Sequence, residues 1–368
     1  MLKKTLALAL GLGLMSGAAY AQSAWTGGDD LPTSPLACDD TPATPVAKEF
    51  DGGQPTNPPD RKGQQITVVD VPKLIGIGYF NATSKGIAEA AAELGNVDVK
   101  TDGPTQANID QQISFIDNYI TSGVDGILFA ANDPVAIAPV LKKALGAGIR
   151  VVGYDANSTP DAREWFVNQA EFNGIGKAMI DAFAKEAGED ASFAIVTSTF
   201  TTPNQARWIS EMAAYAAKCH PNLKWLETVE AQEDNVLSFN QATTLINKYG
   251  DELDGLLGMT SVATPATAEA VTQAGKCGQI AVVGLATPNS MKPYVEKDCV
   301  KSVVLWNPVD LGYAAMYAMR AVVDGELVPG ATSVKAGKLG DLQVINGSEI
   351  LLGAPFVFTK ENIGQFDF

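Results

Sequence analysis

The feature that most constrains this chain is a rhythm beginning near residue 66, in which short runs of Val, Ile and Leu alternate with longer stretches of helical period. The first series reads as strand Ile66–Val71, helix Ser84–Leu94, strand Val97–Lys100, helix Ile109–Ile120, strand Gly126–Ala131, helix Val135–Leu145 and strand Arg150–Tyr154. Ile109, Ile113, Ile116 and Ile120 share one helical face. The strand runs are apolar at successive positions, so both faces need cover, and parallel sheets flanked by helices supply it. After a break at Asn157–Asp161 the pattern resumes. It reads strand Trp165–Asn168, helix Gly174–Lys185, strand Phe193–Thr197, helix Gln205–Ala217, strand Trp225–Val229, helix Phe239–Tyr249, strand Gly255–Met259, helix Thr264–Ala274, and strands Ile280–Leu285 and Val303–Trp306.

Two such series predict an α/β chain of two doubly wound parallel-sheet lobes joined by a multi-strand hinge. A length of 368 residues suits two lobes. Asn307-Pro308 marks a crossover, which places the helix Leu311–Val323 back on lobe one. The expected division is residues 65–157 plus 308–328 for lobe one, and 158–307 plus 329–368 for lobe two and a crossover tail. Residues 22–64, rich in Pro, Gly, Asp and Thr, read as an irregular arm.

Ahead of the arm, Lys3 and Lys4 precede an apolar run, Leu6–Met15, too short to span a bilayer, and Ala19-Tyr20-Ala21 offers small residues at a cleavage site. Residues 1–21 therefore read as a signal peptide cut after Ala21, with export to the periplasm. Four cysteines in an oxidising compartment imply disulfides. Cys277 and Cys299 each stand just before an apolar run, so parallel neighbouring strands would bring them within bridging distance. Cys38 and Cys219 then pair by elimination, pinning the arm to lobe two.

A formal net charge of -16 disfavours nucleic acid and anionic membrane surfaces as partners. One histidine, His220, and no close cysteine pair disfavour zinc, and His220 beside Pro221 suits a surface role better than a general base. No Gly-x-Gly-x-x-Gly follows the first strand and no phosphate-loop motif occurs, so nucleotide cofactors lack a cradle. No cofactor, metal or catalytic residue is expected.

Ligands of open parallel sheets sit beyond the carboxyl ends of the strands. That rule selects Lys73, Asn132 and Asp155 in lobe one, Asn204, Gln205, Thr260 and Ser261 in lobe two, and Asn307 at the last crossover. Their donors and acceptors suit hydroxyl groups, and Phe80, Tyr154, Trp208 and Trp306 offer flat faces to the C–H side of a sugar. Each has a plainer alternative: Asp155 as a turn residue, Lys73 as a solvated lysine, Asn204 as a helix N-cap and Trp208 as core.

The stretch from Val71 to Phe80 (VPKLIGIGYF), with Asp102-Gly-Pro-Thr105, Asn168-Gln169, Thr287 to Val295 (TPNSMKPYV) and the ending Glu361 to Phe368 (ENIGQFDF), resembles the autoinducer-2-binding and rhamnose-binding receptors. These are similar to ribose-binding proteins. The resemblance implies a type I periplasmic receptor with three crossovers, serving the permease of an ABC importer, and it places Lys73, Asp155 and Gln205 at ligand contacts. Two departures stand out. Asn204 replaces an acidic residue before the glutamine, and Met259-Thr260-Ser261 replaces Pro-Asp-Ala, which sets a pentose, a deoxyhexose such as rhamnose or a polyol on at least an equal footing with an autoinducer-2-like furanose as the expected ligand. A monomer is expected. The alternatives are a receptor presenting its ligand to a sensor kinase or chemoreceptor, and an exported α/β enzyme acting on a sugar.

Overall fold

The computed structural model describes residues 33–39 and 48–368. The strand–helix order begins with β1 (Ile66–Val71), α1 (Gly78–Leu94), β2 (Val97–Thr101), α2 (Ile109–Ser122), β3 (Gly126–Phe129), α3 (Ala138–Gly146), β4 (Arg150–Tyr154) and β5 (Trp165–Asn168). It continues with α4 (Phe172–Ala187), β6 (Ser192–Thr197), α5 (Pro203–Cys219), β7 (Lys224–Glu230), α6 (Asn235–Tyr249), β8 (Gly255–Gly258), α7 (Ala263–Gln273), β9 (Ala281–Gly284), α8 (Pro288–Glu296), β10 (Ser302–Leu305) and α9 (Pro308–Val323). Four short strands close the chain: β11 (Ser333–Lys335), β12 (Asp341–Ile345), β13 (Glu349–Leu351) and β14 (Phe356–Thr359).

The first sheet runs β11-β12-β13-β5-β4-β3-β1-β2, and the second β7-β6-β8-β9. In β3, β5, β6 and β8 every residue is buried, as their unbroken apolar runs require. A bridge from Leu285 to Val304 sets β10 beside β9, and β14 pairs antiparallel with β10. Both lobes therefore repeat one topology, the second strand lying outside the first and the third on its other side. That reversal opens a crevice at the tips of β1 and β3, and again at the tips of β6 and β8.

Two boundaries differ from the sequence expectation. β5, expected to open lobe two, pairs in parallel with β4 through Val152 and Trp165 and so extends the first sheet. Residues 333–351, expected with lobe two, complete that same sheet, β13 pairing with β5. An apolar strand shows that it is buried but not which sheet it joins, because pairing is decided between distant segments. α9 packs against α1 and β4. It crosses α1 so closely that a Cβ at Gly86 would lie 1.8 Å from the Val309 carbonyl oxygen and one at Gly312 would lie 2.0 Å from that of Thr83. Glycine is required at both points by this approach.

Among the described residues the main chain passes between lobes at 169–171, 306–307 and 352–355. Described parts of the arm hold no helix or strand. They are nonetheless fastened: Gly53 N–H donates to the Arg163 carbonyl at 2.8 Å, and the Phe50 ring lies 5.1 Å from that of Trp165. Cys38 is bonded to Cys219 at the end of α5, and Cys277 to Cys299, with Cα separations of 5.4 and 4.7 Å. Both expected pairings are present. The signal peptide and its cleavage site lie outside the described residues.

Candidate functional site

The tips of β1, β4, β6, β8 and β10 converge on a small cavity between the lobes, walled by side chains from both. β1 ends in Val71-Pro72, and the turn after it carries Lys73, only 5% exposed. The Lys73 ammonium lies 3.0 Å from Asp155 Oδ2 and donates to Asn204 Oδ1 at 3.2 Å. Asp155 follows β4 with φ +60°, a left-handed conformation that costs a non-glycine residue free energy and is retained where surrounding structure fixes it. Here the fixing contacts are visible. Tyr79 donates its hydroxyl to Asp155 Oδ1 at 2.9 Å, and Trp306 donates its indole N–H to the Tyr79 oxygen at 2.9 Å.

Lobe two supplies the opposite wall. Asn204 sits one residue inside the start of α5, where Thr202 occupies the N-cap position, so its side chain is free to reach across. Its Nδ2 approaches the Asp155 backbone and carboxylate oxygens at 3.4 Å. The Gln205 carbonyl Oε1 accepts from Thr197 Oγ1 at 2.6 Å and from Ser198 N–H at 2.8 Å, which turns its amide nitrogen toward Glu233 Oε1 at 3.2 Å. Thr260 Oγ1 accepts from the N–H groups of Val262 and Ala263, fixing the tip of β8. Aromatic rings form the remaining wall in sequence: Phe80 lies edge-on to Tyr79 at 5.2 Å, Tyr79 edge-on to Trp306 at 6.1 Å, and Trp306 tilted against Trp208 at 5.6 Å.

Of the residues selected by strand ends and aromatic character, Lys73, Phe80, Asp155, Asn204, Gln205, Trp208, Thr260, Ser261 and Trp306 line the cavity. Asn132 and Asn307 do not. Asn132 donates to the Lys73 carbonyl at 2.8 Å and to Gln112 Oε1 at 3.1 Å, so it braces the turn from behind. Asn307 accepts from Val309 and Asp310 N–H as the N-cap of α9. Tyr154, proposed as a flat face, turns into lobe one and donates to Asp70 at 2.8 Å.

Glu233 and Tyr79 were missed. Glu233 stands after β7, where the same strand-end rule reaches, but a glutamate in the polar run Glu230-Ala-Gln-Glu-Asp234 reads as solvated surface. Its backbone placement, with Gln232 and Glu233 at φ +52° and +53°, has no signature in residue type. Burial pushes its carboxyl up, against the Lys73 charge and the Thr260 and Gln205 side chains, which pull it down. His220 lies apart from the cavity, at the end of α5 between Asp181 and Glu189 at 3.0 and 2.7 Å.

Two lobes of equal topology, joined at the hinge and enclosing one polar, aromatic-walled cavity at their strand tips, define a cleft-binding protein of the two-lobed type. Residues 68–327 match the periplasmic binding protein domain, and the chain belongs to that family. The D-ribose/D-allose-binding protein of Pseudomonas aeruginosa is 28% identical over 204 residues, which span 52% of this chain and 60% of that protein. Among solved structures, a sugar ABC transporter from Actinomyces odontolyticus is 30% identical with a TM-score of 0.68, covering 86% of this chain and 100% of its own. An ABC transporter solute binding protein from Clostridium phytofermentas, with bound L-rhamnose, is 28% identical with a TM-score of 0.77, covering 82% and 98%. Among the described residues no helix is long and apolar enough to cross a membrane.

Proposed function

We propose that this chain is the substrate-binding protein of an ABC importer, exported by cleavage after Ala21, and that it captures one small neutral sugar in the cavity between its lobes. The observation that carries the reading is the wall itself. Hydroxyl-pairing groups from both lobes, Lys73 and Asp155 on one side and Asn204, Gln205, Thr260 and Ser261 on the other, face one another beside a row of aromatic rings. A carboxylate accepts two hydroxyl hydrogens, an ammonium and amides serve ring and hydroxyl oxygens, and the rings cover C–H faces. Binding would close the hinge, a motion general to periplasmic binding proteins, and the closed shape is what a permease in the inner membrane would recognise. Sugar ligands of relatives, ribose, allose and rhamnose among them, support this class of solute. Binding without turnover is favoured because the Lys73 ammonium is held by the Asp155 carboxylate and the chain's single histidine lies apart from the cavity, between Asp181 and Glu189.

The test is a thermal-shift screen of the mature chain over pentoses, deoxyhexoses, polyols and autoinducer-2, repeated on Asp155→Asn. Ligand at a hundredfold its dissociation constant stabilises by about 2.7 kcal/mol, which a melting curve resolves. One or a few sugars should raise the melting temperature of the native chain and fail to do so in the variant, whose unliganded melting shows that it folds. A chain that responds to no sugar, or a variant that responds as the native chain does, refutes the reading. Chemical conversion of the bound sugar would refute the binding-only part of it.

A further inference from the structure

The polar groups of the cavity are unequally provided with partners. Lys73, Asp155, Asn204 and Gln205 engage one another or the strand tips. Glu233, whose carboxyl is also drawn down by the nearby Thr260 hydroxyl, has a partner at hydrogen-bonding distance on one oxygen. Its Oε1 accepts from Gln205 Nε2, while Oε2, shut off from solvent, has no hydrogen-bond partner. Trp208, 3% exposed, likewise holds an indole N–H with no acceptor. Both residues line the cavity. An unpaired acceptor and an unpaired donor on the wall of one small cavity are costly unless something entering it supplies their partners.

The Glu233 loop is held in place by backbone bonds. Ala231 N–H donates to the Thr197 carbonyl and Gln232 N–H to that of Ser198, so the loop is clamped to the tip of β6, and Asp234 caps α6 immediately after. The charges are also uneven. Asp155 is paired with Lys73, the only cation on the wall, which leaves the Glu233 carboxylate without a counter-ion of its own.

We propose that Glu233 sets the solute class of this site: it accepts a neutral sugar that donates a hydroxyl hydrogen to Oε2 while another of its oxygens accepts from the Trp208 indole N–H, and it rejects sugar acids and sugar phosphates. The inference deepens the sugar-binding reading and rests on it. A sugar acid would bring a further negative charge against a buried carboxylate whose nearby cation, Lys73, is already paired with Asp155, where repulsion is less screened than at the surface. A hydroxyl both donates and accepts, so a polyhydroxylated ring can serve both unpaired atoms together.

The experiment is calorimetric titration of the mature chain, Glu233→Gln, Glu233→Ala and Trp208→Phe with L-rhamnose, D-ribose and D-allose, and with D-glucuronate and D-ribose 5-phosphate. For whichever neutral sugar binds the native chain, Glu233→Ala should weaken binding roughly 10–100-fold. Glu233→Gln, which keeps an acceptor for Gln205, should weaken it less while narrowing the gap between neutral and anionic sugars. That change in selectivity is a readout a purely structural role would not move. Trp208→Phe should weaken the neutral sugar with no gain for anions. Native-like affinity in Glu233→Ala, or a native chain that binds the acid or phosphate as tightly as the neutral sugars, overturns this proposal while leaving sugar binding standing. Failure of every neutral sugar to bind the native chain overturns the sugar-binding reading and this proposal with it.

Discussion

Asp70 lies near the end of β1 and Asp155 just beyond the end of β4 in the same sheet, and their surroundings set different roles for the same side chain. Asp155 faces the cavity and is balanced by Lys73. Asp70 is wholly buried inside lobe one, accepting from Tyr154 at 2.8 Å and Thr101 at 2.9 Å without a cation. Burial raises its carboxyl to about 6, the Tyr154, Thr101 and Ser84 hydroxyls opposing the rise. A group whose folded pKa lies above its unfolded value holds its proton more tightly in the native state. Its stabilisation is therefore complete below the unfolded value of 3.8 and is lost as pH rises through about 6. The difference is about 3 kcal/mol at ~1.4 kcal/mol per pKa unit. Denaturant unfolding of the native chain and Asp70→Asn between pH 4 and 8 should show this slope in the native chain and its reduction in the variant. Parallel pH profiles in the two proteins would rule the assignment out. The apolar run around Asp70 marked a buried strand, but nothing in the run reported whether its carboxylate would find a cation or hydroxyls.

At the scale of elements, the strand–helix order was legible because burial on both faces leaves a continuous apolar signature, and the positions at strand tips followed from it. Sheet membership was not. β5 belongs to lobe one because it pairs with β4, and β13 joins the same sheet by pairing with β5 across more than 180 residues of chain. The disulfides were legible for a related reason. Cys277 precedes β9 and Cys299 precedes β10, so the register of adjacent strands places them together, and elimination gave the second pair. The two bonds differ in what they constrain. The one between Cys277 and Cys299 spans 22 residues and the one between Cys38 and Cys219 spans 181, so loop-closure entropy assigns about 3 and about 5 kcal/mol respectively. Paired Cys→Ser variants compared by denaturant unfolding should show the larger loss for Cys38 and Cys219. The reverse order would mean that local packing rather than chain entropy governs both.

For the whole molecule, the contacts that cross between lobes are concentrated at the cavity. Lys73 with Asn204, and Asn204 with Asp155, join the walls directly, whereas the main chain joins them at 169–171, 306–307 and 352–355. Against these contacts stand the unpaired Glu233 oxygen and Trp208 nitrogen, which an empty closed form leaves without partners and an open form returns to water. The lobes should therefore close when a sugar satisfies both atoms. Small-angle scattering should record a smaller radius of gyration on adding a sugar that binds, and no change with one that does not. Equal radii with and without a bound sugar would show that the cleft does not depend on its ligand for closure.

Taken alone, the order of residues determined the architecture, because an apolar run that must be covered on both faces has few folds open to it, and repetition of the pattern doubled the unit. It also brought most of the cavity wall into view, since the tips of parallel strands are where such sheets leave a crevice. Tertiary structure decided the rest. Asn132 and Asn307, chosen by position, are spent on bracing a turn and capping a helix, whereas Glu233, which looks like an ordinary surface acid, is turned inward by two left-handed backbone steps and a loop clamped to β6. Side-chain direction and the partners left over after folding depend on the packing of distant segments, and no single stretch of sequence carries that information.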